Sequence, residues 1–372
     1  MRIAILTFHR AYNCGAALQA WALKTVLERM GHIVEFPVCN HVGERGRWRH
    51  AWINHDKRGL ALLQSLVGRT LSNLLSFPSE DVLRARYSRF RLNNLPERFC
   101  AISELPELYD LIVVGSDQVW SAKHTLSDAP LFFAENVSPL IRKIAYAASY
   151  GDEPLGELAV KRVADCLKHF SEISVREPLA RDQLQEFSST QIDVTLDPTL
   201  LLIDKDYDVI SCRASLVRRP YLFMYTLSTA PFFVNTAKRL SERLGVKCVI
   251  APCYQYSRFG ALSGLTYSIS PDRLVALSRG AKYIVAGSFH GTAMGLIFKK
   301  PFISLRSQVD SYESRPAALL KSIGCLERLV TPNTTLDNMQ RILSSDISAQ
   351  TLELLAKRRL ESLEWLKRGV EN

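Results

Sequence analysis

The residues best suited to chemistry lie in four short clusters. The first is Gly287-Ser288-Phe289-His290-Gly291-Thr292. A Gly-Ser turn running into a helix points free backbone amides, and the positive end of the helix dipole, at whatever lies ahead, and a phosphate fits such a place. His290 stands beside it, with the hydroxyls of Ser288 and Thr292 as donors and Gly291 between them. Next to an anion the cationic imidazole is favoured, so His290 could pair with a phosphate and also deliver a proton. The plainer alternative is that His290 only caps the helix or packs in a turn. Arg176 follows Glu172-Ile173-Ser174-Val175 and could hold a carboxylate or phosphate bidentately, or else pair with Glu177 or Asp197. Asp117, in Gly115-Ser116-Asp117-Gln118, is the best-placed carboxylate for a base, or else closes its turn or caps the next helix. Asn13-Cys14-Gly15 makes the fourth cluster.

The elements that must position these clusters alternate along the chain. Ile3-Ala4-Ile5-Leu6 reads as a buried parallel strand. Residues 16–30 read as a helix with Leu18, Trp21, Ala22, Leu23, Val26 and Leu27 on its apolar positions, stopped by Gly31, and 33–36 restart a strand. Further strands are expected at 109–114, 144–149, 172–175 and 192–196, with helices at 155–170 and 178–186. A second block reads as strands at 221–225, 246–250, 283–286 and 301–305, with helices at 232–244, 271–278 (capped by Ser270) and 292–298. An Arg-, Lys- and Glu-rich amphipathic helix covers 347–370. The alternation predicts an α/β chain of two Rossmann-like doubly wound domains, 1–210 and 211–345, followed by a C-terminal helix in 346–372. Each chemical cluster follows a strand end, where open parallel sheets place their ligands, so the cleft between the domains is the expected site.

Residues 41–105 interrupt the pattern. They read as a helical insertion with a basic face, and most of the excess positive charge lies within 45–91. With Trp48 and Trp52 nearby, that face could lean on an anionic membrane. The net charge of +10 favours an anionic partner without choosing it. Nucleic acid fits poorly, because no recognisable binding module is present. No segment has the length and apolarity of a membrane span, and the N-terminal apolar run is too short for a signal peptide, so a cytoplasmic protein is expected. The eight cysteines are scattered and read as reduced thiols; no tightly held metal and no cofactor are expected.

Six motifs together resemble one known family. They are Asn13-Cys14-Gly15 through Leu23, Asp110 through Trp120, Ile144 through Gly151, Ile173-Ser174-Val175-Arg176-Glu177, Leu196-Asp197-Pro198-Thr199-Leu200-Leu201, and Ser288-Phe289-His290-Gly291-Thr292. In this order they resemble the polysaccharide pyruvyl transferases. The resemblance implies a glycosyltransferase-B-like fold with an acceptor side in 1–210 and a donor side in 211–345. It implies phosphoenolpyruvate as donor and a sugar or lipid-linked oligosaccharide as acceptor, joined in a pyruvate ketal with release of phosphate. It makes His290 the acid on the phosphate side and Arg176 a donor ligand. Asp117 would lie in the acceptor half, with Asn13, Gly15, Gly115, Ser116, Ser288, Gly291 and Thr292 around the substrates. Cys14 stands where the family usually has tyrosine, and Ser288 where some members have arginine. The rivals are a nucleotide-sugar-dependent glycosyltransferase of the same architecture and a non-catalytic binding protein of a polysaccharide system. Contact with a membrane face through 45–91 and a homo-oligomer are both compatible with the reading.

Overall fold

The computed structural model describes residues 1–39, 84–121, 129–133, 135, 137–151, 160, 163, 165–211, 217–228, 230–252, 269–306 and 314–371. Two parallel sheets organise them. The first holds β1 (Arg2–Leu6), β2 (Ile33–Val38), β3 (Glu97–Phe99), β4 (Leu111–Val114), β5 (Arg142–Ala148), β6 (Glu172–Val175) and β7 (Ile192–Val194), in the order β3-β2-β1-β4-β5-β6-β7. The second holds β8 (Tyr221–Thr226), β9 (Lys247–Pro252), β10 (Tyr283–Gly287), β11 (Phe302–Leu305) and β12 (Leu329–Val330), in the order β12-β11-β10-β8-β9. Strands buried on both faces become continuous apolar runs, and β4 and β8 are buried at every residue. Strand order reverses between β1 and β4, where Leu6 lies beside Val114, and between β8 and β10, where Ala286 lies beside Tyr225. These two reversals are the ligand-binding switch points of a doubly wound sheet.

The longer helices are α1 (Cys14–Arg29), α2 (84–94), α3 (Pro178–Gln185), α4 (Pro231–Arg243), α5 (Pro271–Gly280), α6 (Phe289–Ile297), α7 (Arg315–Ser322), α8 (Leu336–Leu343) and α9 (Ala349–Glu371). Pro178, Pro231 and Pro271 each open a helix, where the missing amide hydrogen costs nothing. Because strand side chains alternate, Ile3 and Ile5 enter one apolar cluster while Ala4 and Leu6 enter another. The first cluster continues through Trp21, Phe223, Leu274 and Phe298, so one core joins the inner faces of both sheets. Trp21, Tyr207 and Phe298 form an aromatic chain across that junction, with centroids 5.2 and 5.7 Å apart.

Three expectations need correction. The insertion is not helical up to residue 105: Glu97–Phe99 pair with β2, so α2 and β3 restore the alternation before β4. Residues 40–83 lie outside the described ones, and most of the membrane-contact expectation lies there. Within α2, Tyr87 and Phe90 are buried in the core. Ser270 occupies the N-cap position of α5, but its side chain makes no capping bond. Finally, α6 begins at Phe289 rather than Thr292. Gly291 and Gly295 do not break it; they let it lie against the sheet, since an added Cβ would come within 3.1 Å of the Ala286 Cβ and 2.8 Å of the Phe302 Cγ.

Candidate active site

The turn after β4 is held by three elements. Gly115 has φ of 112°, and any Cβ there would lie 2.3 Å from the Tyr146 carbonyl oxygen, so only glycine fits. The Ser116 amide donates to Gln19 Oε1 of α1 at 3.1 Å, and its carbonyl accepts from Thr7 Oγ1 at 2.9 Å. Its hydroxyl donates to the Ala147 carbonyl at 2.7 Å and accepts from Arg176 Nη2 at 2.7 Å. Ser116 is therefore fully engaged inside the protein, and its evident task is to hold Arg176. Asp117 sits at φ 76°, in the left-handed region that an aspartate tolerates better than most residues, and its Oδ1 accepts from the Gln118 amide at 2.9 Å.

Arg176 also donates from Nη2 to Asp197 Oδ2 at 2.8 Å, in a pair whose side chains are 3% and 0% exposed. Asp197 caps the turn after β7 by accepting from the Thr199 amide at 2.9 Å and hydroxyl at 2.6 Å. From the second sheet His290 brings Nε2 to 3.7 Å from the same Asp197 oxygen. Phe289 lays its ring 4.9 Å from the Arg176 guanidinium. The His290 ring rests on α1: a Cβ at Gly15 would lie 2.1 Å from its Nδ1. The two switch points therefore meet, and Asp197 is where the imidazole and the guanidinium converge.

The local charge is ordered by burial and pairing. Burial works against the Asp197 carboxylate, but Arg176, His290 and the Thr199 bonds outweigh it and hold its pKa below the ordinary value. Burial depresses the His290 pKa below 6.5; Asp197 and Asp117 oppose this, while Arg176 and Arg315 add to it. Without a bound anion, desolvation and two guanidinium groups exceed the pull of two carboxylates on the His290 imidazole.

The structure brings His290, Arg176, Ser116 and Gly15 together, and Asp117 is close enough to act on His290 electrostatically. Other predicted residues are engaged locally. Asn13 caps α1, its Oδ1 accepting from the Gly15 and Ala16 amides at 2.8 and 3.2 Å. Ser288 caps α6 by accepting from the Gly291 amide at 3.1 Å, which leaves the Phe289 and His290 amides as first-turn donors without an intrahelical acceptor. Thr292 is fully buried and turned away, its hydroxyl bonded to Ser304 Oγ at 2.8 Å. Cys14 is also buried, its Sγ 2.9 Å from the Tyr87 hydroxyl. Sequence reasoning gave no role to Gln19 or Phe289, and named Asp197 only as an alternative partner of Arg176, the pairing that the structure contains. Asp197 carried a usable signal, since it lies just beyond a strand end and ahead of a proline; Gln19 did not, since its place on α1 looks like any helix-face polar residue. Among the described residues no group of three or more His, Cys, Asp or Glu is placed to hold a metal, and no helix is long and apolar enough to cross a membrane.

Comparison with known proteins adds a family and a fold. The model of a family described as polysaccharide pyruvyl transferase matches residues 13–308. No curated protein matches the chain. Among solved structures the chain is similar to a UDP-N-acetylglucosamine 2-epimerase from Rickettsia bellii, at 12% identity and a TM-score of 0.53, covering 99% of this chain and 95% of that one. It is also similar to the glycosyltransferase SsfS6 of Streptomyces sp. SF2575, at 15% identity and a TM-score of 0.43, covering 100% of both. The arrangement of two doubly wound sheets is the glycosyltransferase-B fold.

Proposed function

Because the chain belongs to the polysaccharide pyruvyl transferase family, we propose that it moves the pyruvyl group of phosphoenolpyruvate onto a sugar of a surface polysaccharide or its lipid-linked precursor. The products are a pyruvate ketal and phosphate. In this reading His290 protonates the methylene carbon of the donor, and the cationic carbon so formed is attacked by a sugar hydroxyl. Asp117 takes that hydroxyl's proton, directly or through a water. The bond between that carbon and the phosphate oxygen breaks, a second hydroxyl closes the ketal, and its proton leaves with the phosphate. Arg176 and the first-turn amides of α6 hold the anionic groups.

The observation that carries this reading is the convergence of His290 and Arg176, from opposite sheets, on one buried anionic position, 3.7 and 2.8 Å from Asp197 Oδ2. The neutral resting state of His290 suits it. A donor phosphate brought beside the ring adds negative charge and raises the pKa, so the acid is charged when the donor is present. The test is phosphate release from phosphoenolpyruvate across a panel of sugar acceptors. His290→Ala should lower turnover by about 10²–10⁴-fold. Stabilisation by a nucleotide-sugar with no response to phosphoenolpyruvate would sink the reading in favour of a glycosyltransferase.

A further inference from the structure

Two thiols meet at the edge of the first sheet. In the parallel pairing of β2 with β3, Val38 lies opposite Phe99, and the Cys100 amide donates to the Val38 carbonyl at 3.4 Å. The register carries on by one residue and sets Cys39 opposite Cys100. Residues opposite each other in a parallel pair share a face of the sheet, and neighbouring strands lie about 4.7–4.9 Å apart. That spacing falls within the Cα separation of about 4.4–6.8 Å that a disulfide spans. Both side chains meet one apolar cluster: Cys39 is buried in it, and Cys100 packs against it, half-buried. The two side chains share a hydrogen bond, so the sulfurs are in contact. Burial raises both thiol pKa values, that of Cys39 to about 12, while the bond from Cys39 pulls the Cys100 value back. Cys100 is thus the more open of the two and the easier to ionise.

We infer that Cys39 and Cys100 form a dithiol site that a small-molecule disulfide oxidises to a cross-strand disulfide. The Cys100 thiolate attacks one sulfur of the small molecule, whose S–S bond breaks; one small thiol leaves with a proton, and the other half stays on Cys100. The Cys39 sulfur then attacks Cys100 Sγ, passes its proton to the second leaving thiol, and closes the protein disulfide. Two protein thiols are oxidised and one disulfide is reduced to two thiols, so no other electron acceptor is needed. The bond would close residues 40–99 into a covalent loop and fasten β3, which is three residues long and lies at the edge of its sheet. What β3 holds gives the bond its reach. Glu97 Oε1 lies 3.0 Å from Arg91 Nε of α2, 3.4 Å from Arg10 Nε and 3.5 Å from His9 Nε2. His9 and Arg10 belong to the segment that joins β1 to α1, just ahead of Asn13 and Gly15. The site stands on strand register and is independent of the pyruvyl-transfer reading.

The experiment incubates the folded full chain with oxidised glutathione, traps the remaining thiols by alkylation, and maps disulfides by peptide mass spectrometry. A peptide linking Cys39 to Cys100 is expected, lighter than its two reduced parts by two hydrogen atoms, and dithiothreitol should restore both thiols. The melting temperature of the oxidised protein should exceed that of the reduced protein by about 5 °C, since a cross-link over a long loop restricts the unfolded chain. Cys39→Ser should halt the reaction at a glutathione adduct on Cys100, and Cys100→Ser should leave the buried Cys39 unmodified. The wild-type map requires neither variant to fold. An adduct on wild-type Cys100 that never passes to Cys39 would overturn the site. Both thiols surviving in the folded chain, or a link that forms only after unfolding in urea, would overturn it equally.

Discussion

At the scale of single residues, Gly15 and His290 are coupled by contact. An alanine at Gly15 should stabilise α1 by propensity alone, since glycine is about 1 kcal/mol worse than alanine inside a helix. Its Cβ would nevertheless occupy the space of the His290 ring, 2.1 Å from Nδ1. Gly15→Ala should therefore keep the fold, by circular dichroism, while turnover falls toward that of His290→Ala; unchanged turnover would show that the ring can move at no cost. His290 also sets a pH dependence. Its pKa in the free protein lies below 6.5, so the cation needed for acid catalysis becomes more populated as pH falls through that region. Values of kcat/KM, which report free protein, should rise toward acid, after allowance for the second ionisation of the donor phosphate. Values of kcat, which report the complex, should hold to higher pH, because the bound phosphate raises the same pKa. Coincident profiles would remove His290 as the acid. Stability runs the other way: a pKa depressed on folding leaves its contribution intact above 6.5 and removes it as pH falls through the folded value. The melting temperature should thus drop on acidification before Asp197 begins to titrate. Arg176 was legible because it directly follows a strand end, and His290 because it lies in the turn and helix start just beyond one. The depressed pKa was not, because it arises from burial and from Arg315, neither of which leaves a local trace in sequence.

At the scale of elements, the parallel strands announced themselves as short apolar runs, whereas the start of α6 was misread. Gly287 and Gly291 looked like turn glycines, yet Gly291 is in the helix because α6 presses on the sheet. That pressure comes from Ala286 and Phe302 on neighbouring strands, so no local pattern contains it. The three-residue β3 was missed for a related reason: Glu97-Arg98-Phe99 is a strand only because β2 offers a free edge. Caps were more readable but not uniformly so, since Ser270 bonds nothing while Asn13 holds two amides. Removing the Asn13 side chain leaves the Gly15 and Ala16 amides without that acceptor. Asn13→Ala should cost about 1 kcal/mol of stability, within roughly 0.5–2, measured by urea titration. Because α1 carries both the Gly15 surface under His290 and the Gln19 bond to Ser116, a loss of activity larger than the loss of folded protein should accompany it. Equal losses would confine Asn13 to capping.

At the scale of the whole molecule, the order of the chain and the order of packing disagree at α9. This helix follows the second sheet in sequence but is fastened to the first. Trp365 Nε1 donates to Asp193 Oδ2 at 2.8 Å, the Leu196 amide donates to Ser362 Oγ at 3.0 Å, and Arg142 Nη2 donates to the Val370 carbonyl at 2.6 Å. The last bond satisfies a helix-end carbonyl with a cation, which the helix dipole also favours. The helix therefore ties the two halves together from behind while the shared core of Trp21, Tyr207 and Phe298 ties them from within. With both ties in place, loosening one half should loosen the other. Trp365 tests this, being 5% exposed and packed 5.8 Å from Tyr146 of β5. Trp365→Ala removes a large buried ring and leaves Asp193 without its indole donor, a change of about 3–5 kcal/mol for a buried tryptophan. Urea unfolding should shift to a lower midpoint, and the cleft contact of His290 with Gly15 allows a second readout. If α9 fixes how the switch points meet, catalytic turnover should fall at urea concentrations where far-ultraviolet dichroism still reports native helix. Activity and dichroism declining together, at an unshifted midpoint, would mean that the inner aromatic junction alone sets the relation of the halves.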